Sequence, residues 1–305
     1  MALLFDPKIQ RTFAVEPELM IGRAWLCGLR LDRPYVSAHH ATIRWAGTHW
    51  EVRDLGSRNG TFLNGAQLQP GRAYALTSGA ELAFGQRAES FRMTDDGPPQ
   101  AMAIPLDGGE ALVVEKDVLG IPSESEPEAS LYRDVDGLWK LEDLEGNLTV
   151  LENHRTFDVA SRTWRFSCPE VVGSTSAGGY LQLPKPVVLR FSVSRDEEHV
   201  ELFAQHDGRG IDLGSRTHNY ILLTLARLRL EDVKNQVDDP ACGWVYQEDL
   251  LKGLATTATQ LNIDIFRIRQ HFAKAGLGDA LNVIERRPRT KQLRIGTANL
   301  EISLL

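Results

Sequence analysis

Apolar residues in the first third of the chain recur in short alternating runs, at 12–15, 41–45, 50–53, 61–63, 80–84 and 90–93, separated by Gly, Pro and Asn. Period-two runs of this length predict the half-buried strands of an all-β sandwich. A second set at 138–144, 148–151, 156–159 and 163–166 alternates in the same way, with Glu145, Gly146 and Asn147 as a turn and an apolar run at 111–114 ahead of it. Past residue 187 the period changes. Strand-like runs at 187–193 and 199–203 give way to Tyr220, Ile221, Leu225 and Leu228 at helical spacing, with Ser215 as N-cap and an end near Leu230. A short helix is predicted from Tyr246 to Gly253, with Glu248 and Asp249 in its first turn. A third is predicted at about 258–275, capped by Thr257 and stopped by Gly276, its Leu261, Ile265, Ile268 and Phe272 forming one buried stripe. Residues 283–295 close the set as a basic hairpin.

The pattern divides the chain into three: a β domain at 1–95, a β-rich middle region with linkers at 96–180, and a mixed α/β domain at 181–305. Polar stretches rich in Asp, Glu, Pro and Gly between 95 and 130 read as linker or loop, and residues 173–179 as a flexible connector. Within the middle, Trp139, Asp143, Leu144, Asn147, Thr149, Leu151 and Asn153 echo the order of Trp50, Asp54, Leu55, Asn59, Thr61, Leu63 and Asn64. The echo suggests a degenerate copy of the first fold, and chance similarity between two hairpins is the alternative.

Composition narrows the class. The 305 residues carry a net charge of −7, and the excess of acid lies in the middle: Lys and Arg against Asp and Glu number 11 to 10 over 1–99, 6 to 15 over 100–184, and 17 to 16 over 185–305. Cys27, Cys168 and Cys242 are odd in number and far apart, so neither a disulfide framework nor a zinc site is indicated. No targeting signal opens the sequence and no apolar run reaches the ~18 residues of a membrane span, so a cytoplasmic protein is expected. With no nucleotide loop, metal spacing, Gly-x-Ser-x-Gly or triad order, the chain reads as a non-enzyme without a cofactor.

The candidate chemistry starts at residues 54–65, where Asn59-Gly60 and Asn64-Gly65 bracket Thr61 to Leu63. Asn-Gly tolerates positive φ, so these are two tight turns, and the Ser57 to Asn59 loop sets small polar groups beside one cation. Upstream stand Gly22-Arg23 and Ser37-Ala38-His39-His40. Together the segments resemble a forkhead-associated domain over about residues 1–95, a family that reads phosphothreonine. The resemblance implies that Arg23 and the Ser37 hydroxyl contact the phosphate, that Ala38 offers its backbone N–H where the family often has a longer polar residue, and that Ser57 and Arg58 add donors. It implies that Asn59, with Asn64, holds the ligand, that His40 braces the Ser37 loop, and that His39 is exposed. The implied partner is a phosphothreonine-containing protein, a Ser/Thr kinase or its substrate.

Element order and the ending Ile265-Phe266-Arg267-Ile268-Arg269 make residues 187–302 resemble the winged helix-turn-helix of osmoregulator-type response-regulator effector domains. That resemblance implies double-stranded DNA as partner, with Arg267 as base contact, Arg269 as phosphate contact, and Arg286, Arg287, Arg289 and Lys291 of the wing as groove or phosphate contacts; with the apolar stripe inward, Gln270 and Lys274 share the outer helix face with Arg267. Residues 259–296 hold 8 Lys and Arg against 3 Asp and Glu, which fits a nucleic-acid face. Asp264 and Phe266 depart from the family's polar or basic face. The function expected is a phosphothreonine-dependent transcriptional regulator, and the alternative is a phospho-dependent adaptor whose winged helix binds protein.

Overall fold

Alternation decides which side chains of each early strand turn inward: Trp50, Val52 and Asp54 are buried while Glu51 and Arg53 are half-exposed. The computed structural model describes residues 1–134, 137–169, 187–206, 208–277 and 280–305, so the connector expected at 173–179 lies outside the described residues. These residues fall into two units, the first holding 1–113, 153–158 and 162–169, the second 114–152, 159–161 and the described residues from 187 onward. Each unit takes part of the middle region expected at 96–180.

In the first unit, β1 (Ala2–Asp6), β2 (Arg11–Ala14), β3 (Glu18–Gly22), β4 (Leu29–Arg30), β5 (Ala41–Trp45) and β6 (Trp50–Asp54) are followed by β7 (Thr61–Leu63), β8 (Ala66–Gln67), β9 (Ala73–Leu76), β10 (Glu81–Phe84) and β11 (Ser90–Asp96). They form two sheets, in the orders β2-β1-β11-β10-β7-β8 and β4-β3-β5-β6-β9. Leu4, Ile21, Ile43, Val52, Leu82 and Phe91 meet in one core, where Trp50 is fully buried and its indole N–H donates to the Gly97 carbonyl at 2.9 Å. At roughly 1.5–3 kcal/mol per buried large apolar side chain, this core holds the strand ends, and hence the loops between them, in place.

The middle continues with β12 (Met102–Pro105), β13 (Leu112–Val113), β14 (Val118–Ile121), β15 (Ala129–Arg133), β16 (Trp139–Asp143), β17 (Leu148–Val150), β18 (Thr156–Val159) and β19 (Arg162–Ser167), which give sheets β13-β12-β19-β18 and β14-β15-β16-β17. The pairing repeats that of the first domain, since β1 also joins β2 to β11 and β3-β5-β6-β9 also runs in chain order. Register repeats too, with Ala129 opposite Asp143 as Ala41 is opposite Asp54.

The remainder of the second unit holds β20 (Val188–Val193), β21 (Val200–His206), β22 (Arg209–Ser215), α1 (Asn219–Lys234), β23 (Val245–Tyr246), α2 (Gln247–Gly253), α3 (Ala258–Lys274), β24 (Ile284–Arg287), β25 (Gln292–Ile295) and β26 (Leu300–Leu304). A four-stranded sheet, β22-β21-β20-β26, is followed by the helices and a three-stranded sheet, β23-β25-β24. Thr257 caps α3 by accepting from the Gln260 N–H at 3.2 Å, and Gly276 takes φ +81° just past its end. The expected cap of α1 differs: Ser215 is the last residue of β22, paired with Glu201, and buried Asn219 ties strand to helix by donating to the carbonyls of Gly214 (2.9 Å) and Val200 (3.1 Å). The helix runs to Lys234, past the expected end at Leu230, since Glu231 to Lys234 contain no breaker. Leu261, Ile265, Ile268 and Phe272 face the shared core with Leu222, Leu225 and Leu293.

Candidate functional site

At the end of β3 the chain passes so close to the loop before β5 that a Cβ on Gly22 would lie 2.2 Å from the Ala38 carbonyl oxygen, and only glycine fits. Two backbone bonds hold this approach, Arg23 N–H to the Ser37 carbonyl at 2.9 Å and Ala24 N–H to the Ala38 carbonyl at 3.0 Å. Arg23 and Ser37 are thereby clamped side by side.

Fully buried His40 sets the Ser37 loop. Its Nδ1 accepts from the Ser37 N–H at 3.0 Å, which leaves Nε2 to donate to the Gly60 carbonyl at 3.2 Å. Burial lowers the imidazole's pKa against the opposing pull of the Gly60 carbonyl and Asp54, so it is neutral near pH 7. One ring thus ties the Ser37 loop to the first Asn-Gly turn.

Asp54, 1 % exposed, is the second organiser. It accepts the N–H groups of Gly56 (2.9 Å) and Ser57 (3.0 Å) and the hydroxyls of Ser57 and Thr61, each at 2.6 Å. Burial raises its pKa, but the four donors outweigh burial and hold the carboxyl below its usual range. The loop it shapes brings the Arg58 N–H to the Ser37 Oγ at 3.1 Å and the Asn59 Nδ2 to the Tyr35 carbonyl at 2.8 Å.

Ser37 therefore accepts one bond through Oγ and keeps its own proton for a ligand. Arg23 and Arg58 are exposed and form no ion pair among the described residues, and Ala38 and Asn59 are exposed beside them. Two exposed cations and a hydroxyl donor thus lie on neighbouring loops, a set of groups that can hold an anion. Two expectations change. The Ser57 hydroxyl is engaged by Asp54, so it shapes the loop. Asn64 faces away from this work: at φ +49° it accepts the Glu81 N–H through Oδ1 (2.9 Å) and donates its own N–H to the Glu81 carbonyl (2.8 Å), latching a hairpin. His39 is exposed, as expected.

In the second unit the candidate DNA-facing residues separate. Arg267 (46 % exposed, Asp264 at 3.6 Å) and Lys274 lie on the open side of α3, and Gln270 is half-buried. Arg289 and Lys291 are exposed, while Arg287 stacks on the Trp244 ring at 3.8 Å and donates to the Pro240 carbonyl at 2.8 Å. Arg269 and Arg286 are not available at the surface, contrary to expectation. Arg269 is 2 % exposed, ion-paired with Glu142, and donates to the Tyr132 hydroxyl (2.9 Å) and the Ile284 carbonyl (2.8 Å). Arg286, 8 % exposed, bonds the Asn262 side chain and stands 3.6 Å from Glu142. Burial pushes the Tyr132 phenol up to about 12, and its O–H donates to Glu142 at 3.0 Å. No local pattern marks Glu142, because its partner Arg269 lies 127 residues away.

Comparison with known proteins bears on the first of these sites. Residues 19–85 match the FHA domain, so the loops around Arg23 and Ser37 belong to an FHA domain. Over 77 residues the chain is 36 % identical to the FHA domain-containing protein FhaB of Mycobacterium tuberculosis, covering 25 % of this chain and 48 % of FhaB. FhaB of Mycolicibacterium smegmatis is 36 % identical over 74 residues, 24 % of this chain and 46 % of that protein. The chain spans about half the length of these curated relatives. Among solved structures, Mycobacterium tuberculosis EmbR in complex with a low-affinity phosphopeptide aligns at 26 % identity over 32 % of this chain and 25 % of that one, with a TM-score of 0.29. The FhaA FHA domain, complexed with an intracellular domain of another protein, aligns at 30 % identity over 30 % and 99 %, with a TM-score of 0.28. No helix among the described residues is long and apolar enough to cross a membrane.

Proposed function

We propose that this chain is a phosphothreonine-dependent regulator, whose FHA domain docks on a phosphorylated protein and whose C-terminal helices and hairpin act as a winged helix-turn-helix on double-stranded DNA. The observation that carries the first half is Ser37, whose Oγ accepts from the Arg58 N–H and so leaves its proton to donate, on loops that also carry Arg23 and Arg58, both exposed and without an ion pair among the described residues. A phosphothreonine brings about −1.5 to −2 charges and three acceptor oxygens, matching two cations and a hydroxyl. Trp25 and Leu26, 78 % and 67 % exposed just after Arg23, favour a protein ligand over free phosphate by offering apolar surface to its flanks. The partner is a Ser/Thr kinase or a substrate of one.

Support for the second half is the open side of α3, where Arg267, His271 and Lys274 gather beside Arg216 and His218. The His218 and His271 rings stand 6.1 Å apart, edge to face. Burial, then the charges of His271, Arg267 and Arg216, drive the His218 pKa down to about 4. The exposed cations Arg216, Arg267 and Lys274 give this face the positive charge that suits a polyanion. The adaptor reading is favoured by a different observation, the coverage of α3 by the sheet that carries Glu142.

The test is a calorimetric titration of the full chain with a degenerate phosphothreonine peptide library and with the same library unphosphorylated, followed by a genome-wide DNA footprint. Binding restricted to the phosphorylated pool is expected, and equal binding of both pools overturns the reading. A footprint no different from background assigns the second unit to protein contacts.

A further inference from the structure

Three sides of α3 meet different surroundings. One side, Leu261, Ile265, Ile268 and Phe272, enters the apolar core of its own helices and sheet. Another, Arg267 and Lys274, is open. The third, carrying Asn262, Phe266, Arg269 and Ala273, is covered by the β14–β17 sheet: Phe266 and Ala273 pack on Val118 and Tyr132, and a Cβ on Gly120 would stand 2.9 Å from the Phe266 ring. Beside that apolar patch, Glu142 binds Arg269 and faces Arg286 of β24, and the Asn262 side chain donates to the Leu144 carbonyl at 3.0 Å.

The covering tip has a counterpart in the FHA domain. Asp143 accepts the N–H groups of Glu145 and Asn147, each at 2.9 Å, as Asp54 accepts those of Gly56 and Ser57, so residues 144–147 occupy the place of 55–59. In the FHA domain that tip is exposed beside the phosphate-ready arginines. In the middle sheet it is spent on α3 and the hairpin, where Gly146 lies against the Arg286 side chain.

We infer that the β14–β17 sheet is a releasable cap on α3 and the β24–β25 hairpin, with the Glu142 carboxylate standing where a nucleic-acid phosphate would meet Arg269 and Arg286. The inference rests on the DNA reading above. Its chemistry is that of a competitor: a carboxylate presents two anionic oxygens to the guanidinium groups, as a phosphate does. Arg269 and Arg286 outweigh the effect of burial and keep Glu142 ionised at neutral pH. Releasability follows from composition, since the apolar part is small and the rest is a buried ion-pair network. Such networks add little net stability when intact yet destabilise strongly when one partner is removed, which is the behaviour of a latch.

The test compares full-length wild type, Glu142→Gln and Glu145→Gln, the last removing an exposed charge from the same loop. Fluorescence anisotropy with a mixed-sequence DNA duplex is read at several salt concentrations, and hydrogen exchange is followed at 118–150 and at 188–234. Glu142→Gln is expected to bind roughly tenfold tighter at low salt, with a log–log salt slope steeper by about 1.8 as two further phosphates are neutralised. Exchange should rise at 118–150 and stay unchanged at 188–234, and Glu145→Gln should change binding less than about twofold. Equal DNA binding by wild type and Glu142→Gln overturns the cap and leaves the DNA reading standing. Loosened exchange with no binding by any form removes the DNA reading and the cap with it, whereas unchanged exchange and affinity show a sheet that does not release. If Glu142→Gln raises exchange at 188–234 as well, Tyr132→Phe, which removes one hydroxyl from the network, decides by the same comparison.

Discussion

Ser37 and Asn64 are both polar residues of surface turns, yet their hydrogen bonds assign them opposite work. The hydroxyl of Ser37 is half used, whereas the Asn64 amide oxygen already serves the Glu81 N–H. Arg23→Ala removes a charged donor that contributes ~1.5–3 kcal/mol, so phosphopeptide affinity should fall about tenfold or more with the melting temperature unchanged. Asn64→Ala should do the reverse, costing about 1 kcal/mol of stability and leaving affinity within about twofold. Calorimetry and urea denaturation on the same preparations separate the two, and an Asn64→Ala protein that folds normally but binds no phosphopeptide would return that residue to the site. His40 carries a pH signature. Its folded pKa is lowered, so the unfolded chain takes up the proton first, and stability is full above the unfolded value of about 6.5 and falls as pH drops from there to the folded pKa. Protonated Nδ1 would face the Ser37 N–H donor to donor. His40→Asn should therefore be less stable at pH 8 and show a shallower loss between pH 6.5 and the acid limit, measured by denaturation at each pH. A slope identical to wild type would mean that other histidines carry it.

At the scale of elements, function depends on where strands end. The β3 terminus delivers Arg23 only because Gly22 permits contact with Ala38, so Gly22→Ala must push the two loops apart. The expected result is loss of phosphopeptide binding beyond detection with the sandwich still folded, read by calorimetry beside circular dichroism; retained affinity would show that the Arg23 loop is not held by this approach. Elements with strict alternation or helical period were legible in the sequence: β5, β7, β18, α2, α3 and the closing hairpin lie within a residue or two of expectation. Others were not, for physical reasons. In β1 the run Ala2 to Phe5 is apolar throughout although its burial alternates, and in β14 all four residues are buried, so the hydrophobic pattern of neither has a period of two. The FHA site was legible because its residues lie on loops close in sequence and their spacing is set by backbone geometry. The burial of Arg269 and Arg286 was not, because an ion pair across 127 residues leaves no local trace, and a basic residue at helical spacing reads as exposed until its partner is placed.

Over the whole molecule, the charge of −7 would repel DNA at long range, so any attraction must come from cations that are locally exposed and unpaired. The structure sorts the basic residues of the second unit on that criterion. Arg269 and Arg286 share the one carboxylate of Glu142 and are withdrawn from the surface, Arg227 is paired with Glu197 at 2.9 Å, and Arg294 with Glu285 at 2.7 Å. Arg289 and Lys291 at the hairpin tip are exposed, and Lys291 sits at φ +51°, a turn position that projects from the ladder. Replacing both with Ala should weaken binding to every duplex alike and reduce the slope of log affinity against log salt by about 0.9 for each phosphate no longer neutralised. Arg267→Ala should act differently, since a base-edge contact contributes ~1–3 kcal/mol of discrimination; sequence preference should flatten while affinity for random DNA changes little. Asp264, 3.6 Å from Arg267 and 17 % exposed, supplies the internal control. If this side of α3 meets phosphate, Asp264→Asn removes a repulsion and frees Arg267, and binding should tighten several-fold at low salt and converge with wild type as salt screens the charge. Anisotropy titrations of the full chain at three salt concentrations read all of these variants, and a response of Asp264→Asn that is equal at every salt concentration would place the partner of α3 among proteins.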